Sequence, residues 1–281
     1  MTRTRMAIAA TAALAAVHLA AVSLLLDDPG RVRQIHDAGG WVAAIFGAFG
    51  AAAAARAFLP GDYLRKVWTL LAAGAVLLVA GHAVRSVWVY TSPPQSIFPD
   101  SVLIYPRLVL VAGANVATIW GLILLAYSYA HSGLQVPRSA AFNALWGAIA
   151  ALALVLMVVQ LRQESADFDN PRHAANALIG MASTLADGAG LILIAPVLRI
   201  AYLMRGGRLA GAWWAVGLSE ALWLAYDCRS WIARPLPFDP AHVFALVSVV
   251  RSPALALVGL GGILHREAVT APEVEAAAAL E

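Results

Sequence analysis

The chain has few of the residues on which disulfide frameworks, metal sites and soluble folds depend. Only 12% of its 281 residues are charged, and Cys228 is its single cysteine. One cysteine excludes an internal disulfide and a cysteine-based metal cage. The sequence also lacks a G-x-S-x-G elbow, an H-E-x-x-H pair, a Walker loop and a dinucleotide fingerprint. No complete catalytic motif is therefore present, no catalytic residue is predicted, and an enzyme is the less favoured class.

The composition that remains is typical of a polytopic membrane protein. Hydrophobic residues make up 61% of the chain and the mean hydropathy is +0.76, far from the balance of a soluble domain. The net charge of +3 is small and several arginines lie inside apolar segments, so no basic face is left for nucleic acid. The high alanine content suggests a bacterial source. The lipid bilayer is the first partner that this composition predicts.

Eight apolar runs predict an all-α protein with eight transmembrane helices, because each run is long enough to cross a bilayer. They cover about 6–26, 38–59, 64–90, 101–130, 139–161, 175–204, 209–233 and 241–265. The first run exceeds a usual signal-peptide core, so we interpret it as a helix, with a cleaved signal peptide as the alternative. We interpret residues 268–281 as a disordered tail whose final AAALE resembles a vector-derived linker.

The distribution of basic residues predicts the orientation of the chain. With eight spans, both termini lie on one side of the membrane. The basic residues expected on that side are Arg3, Arg5, Arg56, Arg65, Lys66, Arg138, Arg199, Arg205, Arg208 and Arg266. Since basic residues accumulate on the cytoplasmic side, both termini are predicted to face the cytoplasm, with the protein in the bacterial inner membrane.

Two stretches of the sequence share a pattern of arginines, aromatic residues and prolines. AGHAVRSVWVYTSPPQSIFPDSVLIYPR ends at Arg107, and LAYDCRSWIARPLPFDPAHVFALVSVVR ends at Arg251. Arg85 precedes Arg107 by 22 residues, and Arg229 precedes Arg251 by the same number. The pattern predicts two parallel four-helix repeats, residues 1–134 and 135–267, that meet around these four arginines.

Ionisable side chains inside the spans indicate where a ligand would bind. A charge at the bilayer centre costs roughly 3 kcal/mol or more, so such groups should face the protein interior or a wet cavity. Arg85, Arg107, Arg229 and Arg251, with Tyr105 and Tyr226, are the predicted ligand-binding residues for a small anionic or carbonyl-bearing organic ligand. The competing interpretation is that the carboxylates of the spans pair with these arginines and only pin the helices together.

Two alternatives use other polar residues of the spans. Asp187, Glu220, Asp227 and His82 could form a proton or ion path in a proton-coupled transporter. His18 and His82 lie at comparable depth on different helices, so an electron carrier with axial haem ligands is a further alternative. Histidines satisfied by neighbouring side chains are the simpler interpretation, and neither a metal nor a cofactor is predicted.

The second copy resembles a known class of membrane module. RGGRLAGAWWAVGLSEALWLAYD and PFDPAHVFALVSVVRSPALALVGL are similar to the multi-pass modules at the N-termini of some bacterial histidine kinases and diguanylate cyclases. The resemblance implies a sensory role. This sequence differs in placing Arg251 inside the last helix, and it has no kinase or cyclase domain after Glu267. Signalling would therefore require a cytoplasmic partner protein.

Overall fold

The computed structural model describes residues 3–93, 96–131, 139–164, 168, 170–203, 208–233 and 237–278, and these residues form helices and turns without any strand. The helices are α1 (Arg3–Leu24), α2 (Pro29–Arg56), α3 (Tyr63–Thr91), α4 (Ile104–Ala130), α5 (Ala140–Glu164), α6 (Pro171–Leu203), α7 (Arg208–Asp227), α8 (Arg229–Ala233), α9 (Pro240–Ser248) and α10 (Arg251–Ala278), with a 3-10 turn at Phe98–Asp100. The all-α prediction is confirmed.

Seven segments of the described chain are long and apolar enough to cross a membrane, which supports a multi-pass membrane protein. They are α1 to α6 and the stretch Pro240–Thr270, which contains α9 and most of α10. The 20-residue helix α7 is not among them, since it carries Glu220, Asp227 and three tryptophans. It packs between α6 and α10, so its polar residues can contact protein rather than lipid.

Helix α2 begins nine residues earlier than the sequence prediction of residue 38. Asp28 accepts a hydrogen bond from the backbone N–H of Arg31 at 3.0 Å, and Pro29 occupies the first helical position. A capping aspartate followed by proline is a strong start signal for a helix. The earlier start places His36 and Asp37 inside the helix and brings both into the bundle.

The last two predicted spans are each interrupted close to an arginine. The run 209–233 breaks between α7 and α8, so that Arg229 begins α8. The run 241–265 breaks at Val249 and Val250, and Arg251 begins α10. Pro253 explains the second break: it has no N–H to donate to Val249, whose carbonyl instead accepts from Ser252 at 3.1 Å. The eighth predicted span is therefore confirmed as an apolar segment, Pro240–Thr270, with a break just before Arg251.

Of the eight long helices in the described part of the chain, six form a closed ring, and the other two, α1 and α5, lie outside it. Around the ring, α2 packs on α3, α3 on α4, α4 on α6, α6 on α7, α7 on α10, and α10 on α2. Helix α1 packs against α10 and α2 from outside, and α5 packs against α6. The centre of the ring is the only place in such an arrangement where charged side chains from several helices can meet without crossing lipid.

The α2–α10 contact is a close crossing of two backbones. Ala43, Gly47, Ala51 and Ala55 recur every four residues along α2 and are all buried, as the small-residue pattern predicts. A methyl group at Gly47 would lie 2.7 Å from the carbonyl oxygen of Leu255. Gly50 likewise lies against the backbone of Gly259, and Gly259 against the backbone of Phe46. Glycine is therefore required on both helices at this crossing.

The start of α1 and the late part of α10 lie at one end of the bundle, which we call the lower end. Thr4 donates a side-chain hydrogen bond to Glu267, so the start of α1 contacts the late part of α10. The end at which α2 begins and α3 finishes is the upper end. Helix α10 continues to Ala278, into the stretch interpreted as a tail; alanine and glutamate, which favour helix, are frequent there. Ala279–Glu281, Arg138 and Arg205 lie outside the described residues.

The lower half of the ring is filled by packed side chains. Trp68 stacks on Trp213 with ring centroids 5.9 Å apart, and its indole N–H donates to His265 Nδ1 at 2.7 Å. Trp68 and Trp213 are almost fully buried. These two tryptophans close the lower end of the interior.

Candidate functional site: a cavity lined by four arginines

A cavity of about 620 Å³ occupies the upper and middle part of the ring. All four arginines of the repeated stretch line it, which is the convergence predicted from their spacing. The other predicted residues that line it are Tyr226, His82, Asp187, Glu220 and Asp227. Gln160 of α5 and Asn176 of α6 also reach it, so the cavity is wider than the expected cleft between the helices of the two copies.

The arginines are held by aromatic rings and backbone carbonyls. Arg229 donates to the carbonyl of Tyr226 at 2.8 Å, and its guanidinium carbon lies 4.1 Å from the centre of the Tyr226 ring. Arg251 donates to the carbonyl of His36 at 3.0 Å and lies 5.8 Å from the Tyr226 ring. Tyr226 therefore positions two of the four guanidinium groups by cation–π contact.

Arg85 and Arg107 have even fewer protein partners. Arg107 lies 5.0 Å from the centre of the Phe98 ring. No hydrogen bond or ion pair joins the guanidinium of Arg85 or Arg107 to another described residue. Each guanidinium carries five N–H donors, so both groups keep their donors free for a molecule in the cavity.

The acidic residues of the spans do not pair with these arginines. Within the described part of the chain, no ion pair joins Asp187, Glu220 or Asp227 to any arginine. Asp227 Oδ2 accepts from the hydroxyl of Thr184 at 3.1 Å, and Asp187 Oδ2 is buried without a hydrogen-bond partner among the described residues. The interpretation that carboxylates only neutralise the arginines is therefore not the arrangement found.

A hydrogen-bonded chain lies behind the cavity and was not predicted from the sequence. Asp37 is fully buried. Its Oδ2 accepts from the hydroxyl of Ser86 at 2.6 Å, and that hydroxyl accepts from the indole N–H of Trp41, also at 2.6 Å. This chain ties α2 to the turn of α3 that carries Arg85. The helix-start signal at Asp28 and Pro29 was the clue that Asp37 lies inside a helix.

Neutral polar groups on the cavity wall were also missed. Asn115 donates to the hydroxyl of Ser183 at 3.3 Å across the α4–α6 contact. Both line the cavity, as does Thr118. Asn115, Thr118 and the neighbouring pair Ser183 and Thr184 interrupt apolar runs, and that interruption of the hydropathy pattern was the available signal.

A second cavity of about 500 Å³ adjoins the first at the upper end. Arg85, Arg229, Arg251, Tyr226 and Phe244 line both cavities. The outer wall of the second cavity includes Asp27, Arg33 and His242, near the start of α2 and the start of α9. The shared residues thus stand between a vestibule and the central cavity.

Two predicted site residues are not brought into the cavity. Tyr105 is 43% exposed and does not line it. His18 is buried, and its Nε2 lies 3.0 Å from His36 Nδ1. His18 packs on Gly39 whereas His82 packs on the next residue, Gly40, so the two rings lie on different sides of α2. The structure therefore does not place His18 and His82 across a shared space, and no cluster of metal-binding side chains occurs among the described residues.

No family model, curated protein or solved structure matches this chain.

Proposed function

We propose that the protein is an integral membrane binding protein for a small organic anion, which it holds in the central cavity. The observation that carries the proposal is the set of four cavity-lining arginines without a carboxylate partner among the described residues. Guanidinium groups bind carboxylates and phosphates through two parallel hydrogen bonds. An unpaired buried charge is costly, so a bound anion would stabilise the arginines as well as itself.

The walls of the cavity add a requirement for an apolar part of the ligand. Leu78, Val111, Ile179, Val216 and Trp223 line it together with the arginines. Its volume of about 620 Å³ lies within the range of roughly 300–1,000 Å³ that small-molecule sites occupy. The class of ligand that fits is an amphipathic anion, with a charged head at the arginines and an apolar body along these walls.

The packing order supports the proposal of two parallel repeats. In the first half, α2 packs on α3 and α3 packs on α4. In the second half, α6 packs on α7 and α7 packs on α10 in the same order. The two connections between the halves also correspond, since α4 packs on α6 and α10 on α2. The peripheral helices α1 and α5 each pack on the helix that follows them.

We place the upper end of the bundle outside the cytoplasm of a bacterial cell. Arg56, Arg65, Lys66, Arg199 and Arg266 lie toward the lower end, and basic residues accumulate on the cytoplasmic side of membrane proteins. The vestibule and the arginines are at the opposite end. The ligand would then enter from outside, and a sensory role would act on a partner protein at the lower, cytoplasmic end.

Proton-coupled transport is the second candidate, favoured by one observation. Asp187 and Glu220 are buried and line the same cavity as the arginines, and intramembrane carboxyl groups commonly carry protons in transporters. Binding alone is preferred because packed side chains around Trp68 and Trp213 fill the lower half of the ring. A proton-driven flux of octanoate into liposomes that is lost in Glu220→Gln would support transport.

Octanoate binding tests the proposed function. The full chain in lipid nanodiscs should bind tritiated octanoate saturably, and the neutral isostere octanamide should not compete. Arg107→Gln should weaken octanoate binding by roughly tenfold or more, because a charge-assisted pair is lost. The matched control is Arg31→Gln, since Arg31 is exposed and pairs with Asp28 at 3.1 Å away from the cavity.

Two results would overturn this proposal. One is equal competition by octanamide, which would show that the negative charge is not recognised. The other is wild-type affinity in Arg107→Gln and in Arg85→Gln, since each variant removes a guanidinium that lines the cavity.

A further inference from the structure

The acidic side of the central cavity has no role in binding a simple anion. Asp187 of α6 and Glu220 and Asp227 of α7 all line the cavity. Asp187 is 8% exposed and Glu220 is 4% exposed, so both carboxyl groups are withdrawn from bulk solvent. Burying such groups is costly unless a hydrogen-bond donor meets them.

The described protein supplies no such donor to part of this acidic side. Asp187 Oδ2 accepts no hydrogen bond from an N–H or hydroxyl donor of the described residues, and the group beside its carboxyl is the equally acidic Asp227. Glu220 makes no hydrogen bond with another described residue, and its carboxyl lies against Gly190, where any side chain would displace it. Apart from the four arginines and His82, no basic side chain is among the described residues that line the cavity. These carboxyl groups are thus open to a donor that a ligand brings.

Glu220 lies deeper in the cavity than the arginines. Seven residues separate Glu220 from Asp227, which corresponds to about 10 Å along the helix axis. Asp227 is two residues before Arg229, so it lies at the level of the arginines. Asp187 and Glu220 come from neighbouring helices that pack together, α6 and α7. Glu220 therefore lies about 10 Å below the arginines, which stand at the upper end of the cavity.

We infer that the cavity takes a dipolar ligand, with an ammonium group at Asp187 and Glu220 and a carboxylate at Arg85 and Arg107. This inference rests on the proposed function and names its ligand class: an aliphatic ω-amino acid or a molecule of the same charge layout. The apolar residues between the two levels, such as Trp223 and Val111, would contact the methylene chain. Opposite charges at the two ends of one cavity also fix the direction in which the ligand binds.

The length of the ligand follows from the spacing of the two ends. A separation of about 10 Å along α7 is close to the span of an extended 8-aminooctanoate. Within the ω-amino acid series, affinity should rise with chain length toward this compound. 4-Aminobutanoate is too short to reach both ends and should gain nothing over butanoate.

The test compares 8-aminooctanoate with octanoate on the full chain in nanodiscs, by competition against tritiated octanoate. We expect 8-aminooctanoate to bind roughly tenfold or more tightly than octanoate, because its ammonium adds a charge-assisted contact. In Glu220→Gln and in Asp187→Asn this ratio of affinities should fall toward one. Glu267→Gln is the matched control, since Glu267 contacts Thr4 at the lower end, and it should keep the wild-type ratio.

The outcomes separate this inference from the proposal on which it rests. If octanoate binds through the arginines but 8-aminooctanoate binds no better, the dipolar ligand is refuted and the anion site stands. The same conclusion follows if the advantage of 8-aminooctanoate survives in both acidic-side variants. If octanoate itself does not bind, or binds with wild-type affinity to both the Arg107→Gln and the Arg85→Gln variants, the anion site is refuted first.

Discussion

Single charged residues decide how the interior of this bundle is organised. An arginine inside an apolar span costs several kcal/mol unless it reaches water or a partner. Here Arg85 and Arg107 reach a cavity and keep free donors, while Arg229 and Arg251 rest on the Tyr226 ring. The equal spacing of the arginine pairs predicted their convergence. It did not predict that the acids would stay unpaired, because pairing depends on side-chain distances of a few ångströms that helical position alone does not set.

Ser86 should be the most sensitive uncharged residue of the site. Its hydroxyl is the one described hydrogen-bond donor to the fully buried carboxyl of Asp37. Ser86→Ala removes that donor and should cost about 1–3 kcal/mol of stability. Thermal unfolding followed by tryptophan fluorescence should show a midpoint lower by a few degrees.

Ser23→Ala is the control for this variant. Ser23 is exposed and donates only to the carbonyl of Leu19 within its own helix, so the midpoint should stay near that of the wild type. A Ser86→Ala protein as stable as Ser23→Ala would show that the Asp37 carboxyl does not depend on Ser86.

At the scale of helices, the apolar runs predicted where each long helix lies, but they did not predict the breaks within the last two runs. Helices α3 to α6 match their predicted ranges to within a few residues. The breaks before Arg229 and Arg251 were missed because hydropathy does not change there; Pro253 was the available signal for the second break. The start of α2 was missed for the opposite reason, since its first two turns are polar and only the capping residues mark them as helix.

The close crossing of α2 and α10 predicts a strong effect from a very small substitution. Gly259→Ala would place a methyl group against the backbone of Phe46 and Gly47, where neither helix can yield without moving as a whole. Such overpacking typically costs about 1–3 kcal/mol. The unfolding midpoint should fall, and octanoate affinity should fall with it, because α10 also carries Arg251.

Gly147→Ala provides the matched comparison on α5. A methyl group at Gly147 meets no atom within 4 Å, and alanine favours helix over glycine by about 0.8–1.0 kcal/mol. The thermal unfolding midpoint of Gly147→Ala should be equal to that of the wild type or slightly higher. Equal midpoints for Gly259→Ala and Gly147→Ala would contradict the described contact between α2 and α10.

For the whole molecule, the sequence predicted the class of fold but not the order of helices around the ring. Nothing in the hydropathy pattern states that α1 and α5 lie outside, or that α4 packs on α6. The order depends on which helix surfaces are complementary in shape, as at the contacts of Gly47 with Leu255 and of Gly50 with Gly259. Such complementarity is a property of two helices together and cannot be seen in the hydropathy of either one. The duplicated arginine pattern was the one long-range signal available from a single sequence.

The orientation in the membrane is testable with introduced cysteines, because the native Cys228 is buried. Tyr90 at the upper end is 61% exposed, and Leu59 at the lower end is 78% exposed. In spheroplasts, a membrane-impermeant maleimide should label Tyr90→Cys and not Leu59→Cys. Labelling of Leu59→Cys alone would reverse the proposed orientation and place the vestibule on the cytoplasmic side.

The central claim is that an organic anion lies inside the ring with its charge at the arginines. A crystal structure of the full chain with 8-bromooctanoate tests it most directly, since anomalous scattering from bromine locates the apolar end of the ligand. We predict a bromine peak in the central cavity between α4, α6 and α7, with carboxylate density next to Arg85 and Arg107. A bromine peak on the lipid-facing surface, with the cavity filled only by water, would contradict the claim.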